Sequence, residues 1–349
     1  MTMPTTDAAA AASPPQITED EARGAAASVA HLRRVLGGVL FGQDDLIDMV
    51  IVGLLARGHI LLEGLPGLGK TELVKGLARA LDLANKRVQF TPDLLPGDIT
   101  GNPVLEEADG RRRFTFHQGP VFTNILLADE INRASPKTQS ALLEAMQERS
   151  VTVMGQTHPL PRPFVVLATQ NPIELEGTYP LPEAQLDRFL FKLDVPGADV
   201  DTLERIVLDR EIGVAPDVAR VFDAAGLEAL LDLVRRVYMP VPVANFIARL
   251  VAGTQPGAAT AAGVKFGASP RAALALAAAS KARGLAAGRI NAAYEDVRAV
   301  AAPVLRHRVV LDYAARLEGL TTDRLVTRLL EAIPAHDSAL PTSLAAAKV

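Results

Sequence analysis

Cysteine is absent from this chain of 349 residues. Its absence excludes a disulfide framework, a metal site with thiolate ligands and a cysteine nucleophile. The six histidines, which include His117 and His158, are scattered without the spacing of metal ligands. Neither residue type therefore predicts a metal centre.

Long apolar runs are also missing. No segment approaches the roughly 18 consecutive apolar residues of a membrane-spanning helix. Residues 1–12 contain neither a basic residue nor the leucine-rich stretch of a secretory signal. We therefore expect a cytoplasmic protein without a membrane span. The net charge of −4 argues against a dedicated nucleic-acid binder, which is usually strongly basic, so nucleic acid is not an expected partner.

The segment Gly64–Thr71 reads G-L-P-G-L-G-K-T and matches the phosphate-loop pattern G-x-x-x-x-G-K-[ST]. It follows the apolar run Ile60–Leu62 and opens an amphipathic helix, which is the strand, loop and helix context that the pattern needs. Glycines let backbone N–H groups turn toward phosphates, Lys70 can reach the β- and γ-phosphates, and the Thr71 hydroxyl can bind Mg²⁺. We predict that a nucleoside triphosphate binds to Gly64, Pro66, Gly67, Leu68, Gly69, Lys70, Thr71 and Glu72.

Two adjacent carboxylates end a later apolar run. The run Asn124–Ala128 lacks polar alternation, which predicts a parallel strand buried on both faces. At the carboxyl end of that strand, Asp129 would hold Mg²⁺ directly or through water, and Glu130 would polarise an attacking water molecule. The pair predicts that the bound nucleotide is hydrolysed.

Two further polar residues follow apolar runs. Asn171 comes after the predicted strand Phe164–Thr169, so it would lie beside the γ-phosphate, because ligands bind at the carboxyl ends of parallel strands. An amide can donate and accept hydrogen bonds without adding charge. Arg188 stands between a short predicted helix and the next apolar run, where its guanidinium could reach a neighbouring subunit's γ-phosphate as an arginine finger. Pairing of Arg188 with Asp187 or Glu183 is the structural alternative.

Periodicity predicts helices between the strands, and hence a parallel sheet covered on both sides, followed by an entirely helical pattern beyond Pro240. A leading helix is predicted from Ile17 to about Gly37, with Ala25, Val29 and Leu32 on one face. The predicted organisation is a disordered tail over residues 1–16, a P-loop core over 17–196, linker helices over 197–239, an α-helical lid over 240–334 and a flexible tail over 335–349.

Four stretches give this sequence a close resemblance to the AAA+ ATPases, and among them to the MoxR family. They are Phe90–Gly101, Leu127–Ala134, Glu176–Phe189 and Gly267–Ala272. The resemblance runs from about Val35 to about Ala332. It implies an α/β P-loop core with a parallel sheet, followed by a smaller all-α lid.

The resemblance also implies residue roles. Asn171 matches sensor 1, Arg188 the arginine finger and Arg271 sensor 2, all with catalytic roles beside Glu130. In this branch of AAA+ proteins an extra helix displaces the lid, so Arg271 could serve either its own nucleotide or a neighbour's. The segment that matches the family's adenine-binding residues is Phe41, Gly42 and Gln43. The implied cofactors are ATP and Mg²⁺.

Two insertions are implied. Residues 94–121 match an insertion within helix 2, and residues 150–162 read as a hairpin that turns at Gly155-Gln156. In ring-shaped relatives such hairpins face the pore, so the basic run Arg111–Arg113 is a candidate partner contact. An ordinary solvated charge run is the equally supported alternative.

The resemblance implies a ring of subunits, with six as the family expectation, that remodels protein clients together with a von Willebrand factor A domain protein. A nucleotide-gated scaffold or switch and a metal-chelatase motor subunit are the alternatives. The combination of Glu130 with Arg188 favours turnover, because a pure binding module needs neither a water-polarising carboxylate nor a finger.

Overall fold

The structure is a computed structural model that describes residues 16–65, 67–108, 111–172, 177–211 and 213–335. The predicted tail over 1–16 lies outside these residues except for Gln16, and the tail over 335–349 lies outside them except for Ala335. Pro66 and the first residue of the stretch Glu176–Phe189 also lie outside them.

The described residues form a central sheet, three two-stranded sheets and the helices around them. The strands are β1 (Ile60–Glu63), β2 (Asn85–Gln89), β3 (Gly101–Ala108), β4 (Arg111–Gln118), β5 (Ile125–Asp129), β6 (Ser150–Val153), β7 (Gln156–Pro159), β8 (Val165–Gln170), β9 (Phe191–Asp194), β10 (Val264–Phe266) and β11 (Val310–Leu311). The helices of the first part are α1 (Glu19–Gly37), α2 (Asp44–Leu55), α3 (Lys70–Ala80), α4 (Pro96–Thr100), α5 (Pro136–Glu148), α6 (Glu183–Leu186) and α7 (Val200–Asp209). The helices of the second part are α8 (Ala224–Arg236), α9 (Val241–Ala252), α10 (Pro270–Ala286), α11 (Tyr294–Leu305), α12 (Tyr313–Leu317) and α13 (Thr322–Ala332).

The central sheet has the strand order β2-β5-β8-β1-β9, and its neighbouring strands pair in parallel. Alternate residues of the inner strands β5, β8 and β1 enter different hydrophobic clusters, because successive side chains point to opposite faces of a sheet. Leu126 lies in one cluster and Leu127 in the other. Burial on both faces explains why these inner strands read as uninterrupted apolar runs. The predicted parallel α/β core is confirmed.

Both predicted insertion segments contain an antiparallel hairpin. β3 and β4 pair along their whole length, and so do β6 and β7. The rings of Phe116 and His158 stack with their centroids 4.3 Å apart, so the two hairpins contact each other. In the basic run, Arg112 pairs with Glu107 at 3.2 Å, and both side chains are exposed.

The second part of the chain is a helical lid that shares a hydrophobic core with the first part. Helices α8 and α10 pack against α1 and α2, and the buried residues of all four belong to one cluster that also covers a face of the central sheet. Within this lid, β10 and β11 form a short antiparallel pair that the helical pattern beyond Pro240 did not predict. Strands of two or three residues are too short to show a periodicity.

None of the helices in the described ranges is both long and apolar enough to cross a membrane.

Candidate functional site

The phosphate loop connects β1 to α3 at the carboxyl edge of the central sheet. Gly69 is the N-cap residue of α3, and a Cβ added there would lie 2.5 Å from Leu40, so only glycine fits without displacing that side chain. The N-terminus of α3 directs its unpaired N–H groups toward the loop, which favours an anion there. The ammonium of Lys70 donates to the carbonyl oxygen of Gly64 at 2.7 Å. Burial lowers the pKa of Lys70, although the charges of Asp129 and Glu130 oppose that effect.

A cavity of about 360 Å³ lies against this loop. It is lined by Gly67, Gly69, Lys70, Thr71, Glu72, Arg87, Asp129, Glu130, Thr169 and Asn171. The structure therefore brings together predicted residues from three separate strand ends, as expected where parallel strands finish at one edge. Asn171 is buried and Thr71 is half-buried at this cavity.

The two carboxylates of this cavity have different partners. Asp129 accepts hydrogen bonds from Thr169 Oγ1 at 2.5 Å and from Arg87 Nη2 at 2.6 Å. Glu130 has a φ of 55°, which turns its side chain out of the strand, and it accepts from Gln89 at 2.7 Å. Its backbone N–H donates to the same Thr169 hydroxyl at 2.8 Å. Thr169 thus fixes both carboxylate residues relative to β8.

A second cavity of about 380 Å³ adjoins the first. Its lining residues are Val39, Leu40, Phe41, Gln43, Gly67, Leu68, Gly69, Glu72, Ala198, Thr202, Leu203, Ile206, Arg210, Val214 and Pro216. Both cavities share Gly67, Gly69 and Glu72, so a single ligand can extend from one to the other. A mostly apolar recess beside an anion site suits a purine base joined to phosphates.

The three residues of the predicted adenine segment, Phe41 to Gln43, take different positions at the second cavity. The ring of Phe41 is flanked by the guanidinium groups of Arg205 and Arg210, at 4.6 and 4.7 Å from its centroid. Gln43 donates to the carbonyl oxygen of Pro196 at 3.0 Å. Gly42 does not line the cavity, and a Cβ added to it would meet Thr202 of α7. Gly64 likewise lies outside both linings and serves as the acceptor for Lys70.

Sequence reasoning missed several residues of these cavities. Arg87 and Thr169 lie within strands, and nothing local distinguishes them from other strand residues. The lining residues from α7 onward, such as Leu203 and Ile206, were assigned only to a linker helix. The sequence signal for these residues is a short helix with several exposed apolar side chains. Exposed apolar patches of this kind often mark a binding site.

Arg188 and Arg271 do not lie at either cavity. They line a third cavity of about 160 Å³ together with His59, Met146, Gln147 and Asp187. His59 immediately precedes β1, whereas the phosphate loop immediately follows it. Four residues of strand span about 13 Å, so the two arginines lie at the opposite edge of the sheet from the phosphate loop of their own chain.

Interactions around Asp187 hold the third cavity together. The buried guanidinium of Arg308 donates to Asp187 at 2.8 Å, Ser269 donates to it at 3.1 Å, and Arg271 lies 3.7 Å from it. Arg188 donates through Nη1 to the carbonyl oxygen of Leu143 at 2.7 Å. Its buried Nε has no hydrogen-bond partner among the described residues. One N–H of this guanidinium is therefore left uncompensated inside the fold.

His59 is a buried residue of the structural core beside this cavity. Its Nδ1 accepts from the N–H of Val166 at 3.0 Å, so its Nε2 carries the proton and donates to the carbonyl oxygen of Met146 at 3.1 Å. Burial lowers the pKa of His59 to about 4. The imidazole is therefore neutral at pH 7 and links β1, β8 and α5.

The donor set at the first cavity fits Mg²⁺. The Thr71 hydroxyl and the Asp129 carboxylate supply hard oxygen ligands, and Mg²⁺ usually takes one or two such ligands together with phosphate oxygens and water. No cluster of three or more histidine, aspartate or glutamate side chains that could hold a metal ion occurs in the described part of the chain. A metal at this site would therefore be shared with the nucleotide.

Comparisons with known proteins agree with this geometry. Residues 59–191 match the model of the ATPase family associated with various cellular activities (AAA), and residues 257–329 match the AAA lid domain. The chain is 43% identical over 321 residues to Chaperone MoxR1 of Mycobacterium tuberculosis, covering 89% of this chain and 84% of that protein. It is 31% identical to Protein MoxR of Methylorubrum extorquens, covering 88% of this chain and 95% of the relative.

The fold is also similar to that of a solved structure. The crystal structure of a protein from Cytophaga hutchinsonii that is proposed to be an ATPase superposes with a TM-score of 0.84 at 38% identity, and the match covers 90% of this chain and 97% of the other. The phosphate loop, the strand-end carboxylates, the helical lid and these similarities together show that the chain belongs to the MoxR family of AAA+ ATPases, enzymes that hydrolyse ATP.

Proposed function

We propose that this protein is a chaperone-like ATPase that works as a ring and uses residues of two neighbouring subunits for each hydrolysis event. Within one subunit, Lys70 neutralises charge on the β- and γ-phosphates. Thr71 and Asp129 would hold Mg²⁺, which when bound offsets phosphate charge and aligns the phosphate chain. Glu130 polarises the attacking water, and Asn171 orients it through its amide.

The nucleotide base would enter the second cavity, between the segment Phe41–Gln43 on one side and α7 on the other. The apolar side chains Leu68, Leu203 and Ile206 line the recess that the base would fill. In this arrangement the phosphate loop joins the two parts of the nucleotide site, because its residues line both cavities.

The position of Arg188 is the observation that carries the proposal of a ring. A finger must contact the γ-phosphate, and Arg188 lies at the other edge of the sheet from the phosphate loop of its own chain. A second subunit that presents its third cavity to the first subunit's phosphate loop satisfies the requirement. Repeating that head-to-tail contact closes a ring when the rotation allows, and six subunits is the size we propose from the family.

The same placement supports a role in trans for Arg271, because it lines the third cavity beside Arg188. One neighbour would thus supply two guanidinium groups to one nucleotide. Because Arg271 and Arg308 belong to the lid and Asp187 to the P-loop core, their contacts would connect the neighbour's lid to its core at this site.

The chaperone role rests on similarity to the relative named Chaperone MoxR1. A partner with a von Willebrand factor A domain and a protein client are proposed from the family resemblance alone.

We also propose the cytoplasm as the compartment, since the reaction consumes ATP. Phosphate release that continues over many turnovers supports the chaperone-like ATPase. A single stoichiometric burst of phosphate supports a nucleotide-gated switch instead.

The experiment that tests the shared site mixes two inactive variants, Arg188→Ala and Glu130→Gln. A subunit that keeps Glu130 can receive the finger of a neighbour that keeps Arg188. In a random equal mixture about one interface in four carries that pair, since each side is drawn from half of the subunits. We therefore expect phosphate release at about a quarter of the parent rate.

The matched control mixes Arg188→Ala with the double variant Arg188→Ala/Glu130→Gln, in which neither subunit supplies a finger. Subunit exchange is monitored by energy transfer between labelled chains. Recovery in the first mixture and not in the control supports the shared site. Exchange without recovery would show that Arg188 acts within its own chain or not at all.

A further inference from the structure

Arg87 contacts the carboxylate that we assign to the metal. Gln89 of β2 lies opposite Asp129 of β5, and Arg87 is two residues earlier on the same face, within diagonal reach of Asp129. Arg87 donates to Asp129 Oδ2 from Nε at 3.1 Å and from Nη2 at 2.6 Å. The other carboxylate oxygen, Oδ1, accepts from Thr169. Both oxygens of Asp129 are therefore engaged by the protein.

The same guanidinium is connected to the water-polarising carboxylate. Arg87 Nη2 donates to Gln89 Oε1 at 2.7 Å, and Gln89 Nε2 donates to Glu130 Oε2 at 2.7 Å. Arg133 donates to the same Glu130 oxygen at 2.8 Å. One continuous set of hydrogen bonds thus joins Asp129 to Glu130 by way of β2.

A metal ion and Arg87 need the same lone pairs. An Asp129 oxygen that already accepts two charged N–H groups has little electron density left for a cation, and two positive groups on one oxygen repel each other. The Arg87 side chain is 53% exposed and Asp129 only 14%, so the arginine can move and the aspartate cannot. Arg87 also lines the phosphate cavity, where phosphate oxygens offer it other acceptors.

We propose that Arg87 is a positioning residue that competes with a divalent metal ion for Asp129, and that its departure changes, through Gln89, the restraint on Glu130. The proposal rests on the function proposed above, in which Asp129 holds the metal and Glu130 polarises water. Metal occupancy is thereby coupled to the restraint on the water-polarising carboxylate.

The first test measures metal affinity without hydrolysis. Mn²⁺ is titrated into the protein saturated with ADP and followed by electron paramagnetic resonance. We expect Arg87→Gln to bind Mn²⁺ roughly threefold to tenfold more tightly than the parent, because the competing ion pair is gone. The matched control is Lys86→Gln, which removes the same charge from the preceding residue on the opposite face of β2.

Equal Mn²⁺ affinities in Arg87→Gln and Lys86→Gln would overturn the competition, since the change would then be a general charge effect. Arg87→Lys, which keeps the charge but loses the two-point contact, should lie between the parent and Arg87→Gln. The variant Asp129→Asn separates this inference from the proposed function. If Asp129→Asn leaves Mn²⁺ binding intact, the assignment of the metal to Asp129 fails first.

The second test concerns the connection through Gln89. Mn²⁺ affinity is measured as in the first test for Arg87→Gln, Gln89→Ala and the double variant. If Gln89 is coupled to Arg87, Gln89→Ala should change the Mn²⁺ affinity of the parent and leave that of Arg87→Gln unchanged. Additive effects of the two substitutions on the free energy of Mn²⁺ binding would overturn the connection. Thermal unfolding of each variant confirms that the compared proteins are folded.

Discussion

Substitution of Gly42 tests the position of α7, a part of the nucleotide site that the sequence did not predict. Gly42 has a φ of 66°, and a Cβ added to it would lie 2.1 Å from Thr202 Oγ1 on α7. Two heavy atoms cannot approach so closely, and the buried Thr202 side chain has little room to turn away, so we expect α7 to shift in Gly42→Ala. α7 also supplies Leu203 and Ile206 to the base cavity.

The expected cost has two parts. A left-handed backbone conformation costs a non-glycine residue about 1–2 kcal/mol. Overpacking of the contact with Thr202 adds about 1–3 kcal/mol. Gly42→Ala should therefore lower the free energy of unfolding by about 2–5 kcal/mol. Displacement of α7 opens the base cavity, so we also expect ADP affinity to fall about tenfold, equivalent to about 1.4 kcal/mol of binding free energy.

Urea unfolding and calorimetric titration with ADP measure these two quantities. The matched control is Gly155→Ala, because Gly155 also has a positive φ of 77° but an added Cβ would have no atom within 4 Å. The control should lose only the backbone part of the stability and none of the ADP affinity. The double variant Gly42→Ala/Thr202→Ala removes the colliding oxygen and should regain most of both quantities, relative to Thr202→Ala alone.

Two results would refute this reasoning. If Gly42→Ala is no less stable than Gly155→Ala, the close approach to Thr202 carries no energetic cost. If the double variant binds ADP as weakly as Gly42→Ala, the loss of affinity does not arise from that contact.

Four further expectations follow from the geometry. Lys70→Ala should weaken ATP binding roughly a hundredfold in a fluorescent-nucleotide titration, because a charge-assisted contact to phosphate is lost. Glu130→Gln should bind ATP normally and release phosphate roughly 10²- to 10⁴-fold more slowly, and normal turnover would contradict its assigned role. The folded-state pKa of His59 is lowered from 6.5 to about 4, so the unfolded chain takes up its proton first as the pH falls from 6.5 to 4. That uptake should lower the free energy of unfolding by up to about 3 kcal/mol in the parent and not in His59→Gln, and an identical pH dependence of urea unfolding in both would exclude it. Arg271→Ala mixed with Glu130→Gln should recover phosphate release as Arg188→Ala does, and the absence of recovery would assign Arg271 to its own chain's nucleotide.

The phosphate loop and the strand-end carboxylates could be predicted because each is encoded by adjacent residues. A glycine-rich loop needs its strand before it and its helix after it, and all three are contiguous between Ile60 and Ala80. The positions of Asp129 and Asn171 followed from one rule, that buried parallel strands finish at a common edge. No knowledge of the strand order was required for that step.

Arg87 and Thr169 could not be predicted in the same way. Each contacts Asp129 from a neighbouring strand, at separations of 42 and 40 residues along the chain. Which side chains meet across strands depends on strand order and register, and neither is written in a local pattern. The cavity-lining residues of α7 could not be predicted for the same reason. This helix follows the last strand of the central sheet, and only the tertiary structure places it beside the phosphate loop.

The sequence by itself determined the α/β core, the phosphate loop, the two carboxylates and the presence of a helical lid, because each depends on residues close together in the chain. Only the tertiary structure decided where the arginines lie. Arg188 and Arg271 were both expected beside a γ-phosphate, and the fold places them together at the opposite sheet edge from their own phosphate loop. The physical reason is that a parallel strand separates its two ends by its full length, so a residue that precedes β9 lies far from a loop that follows β1.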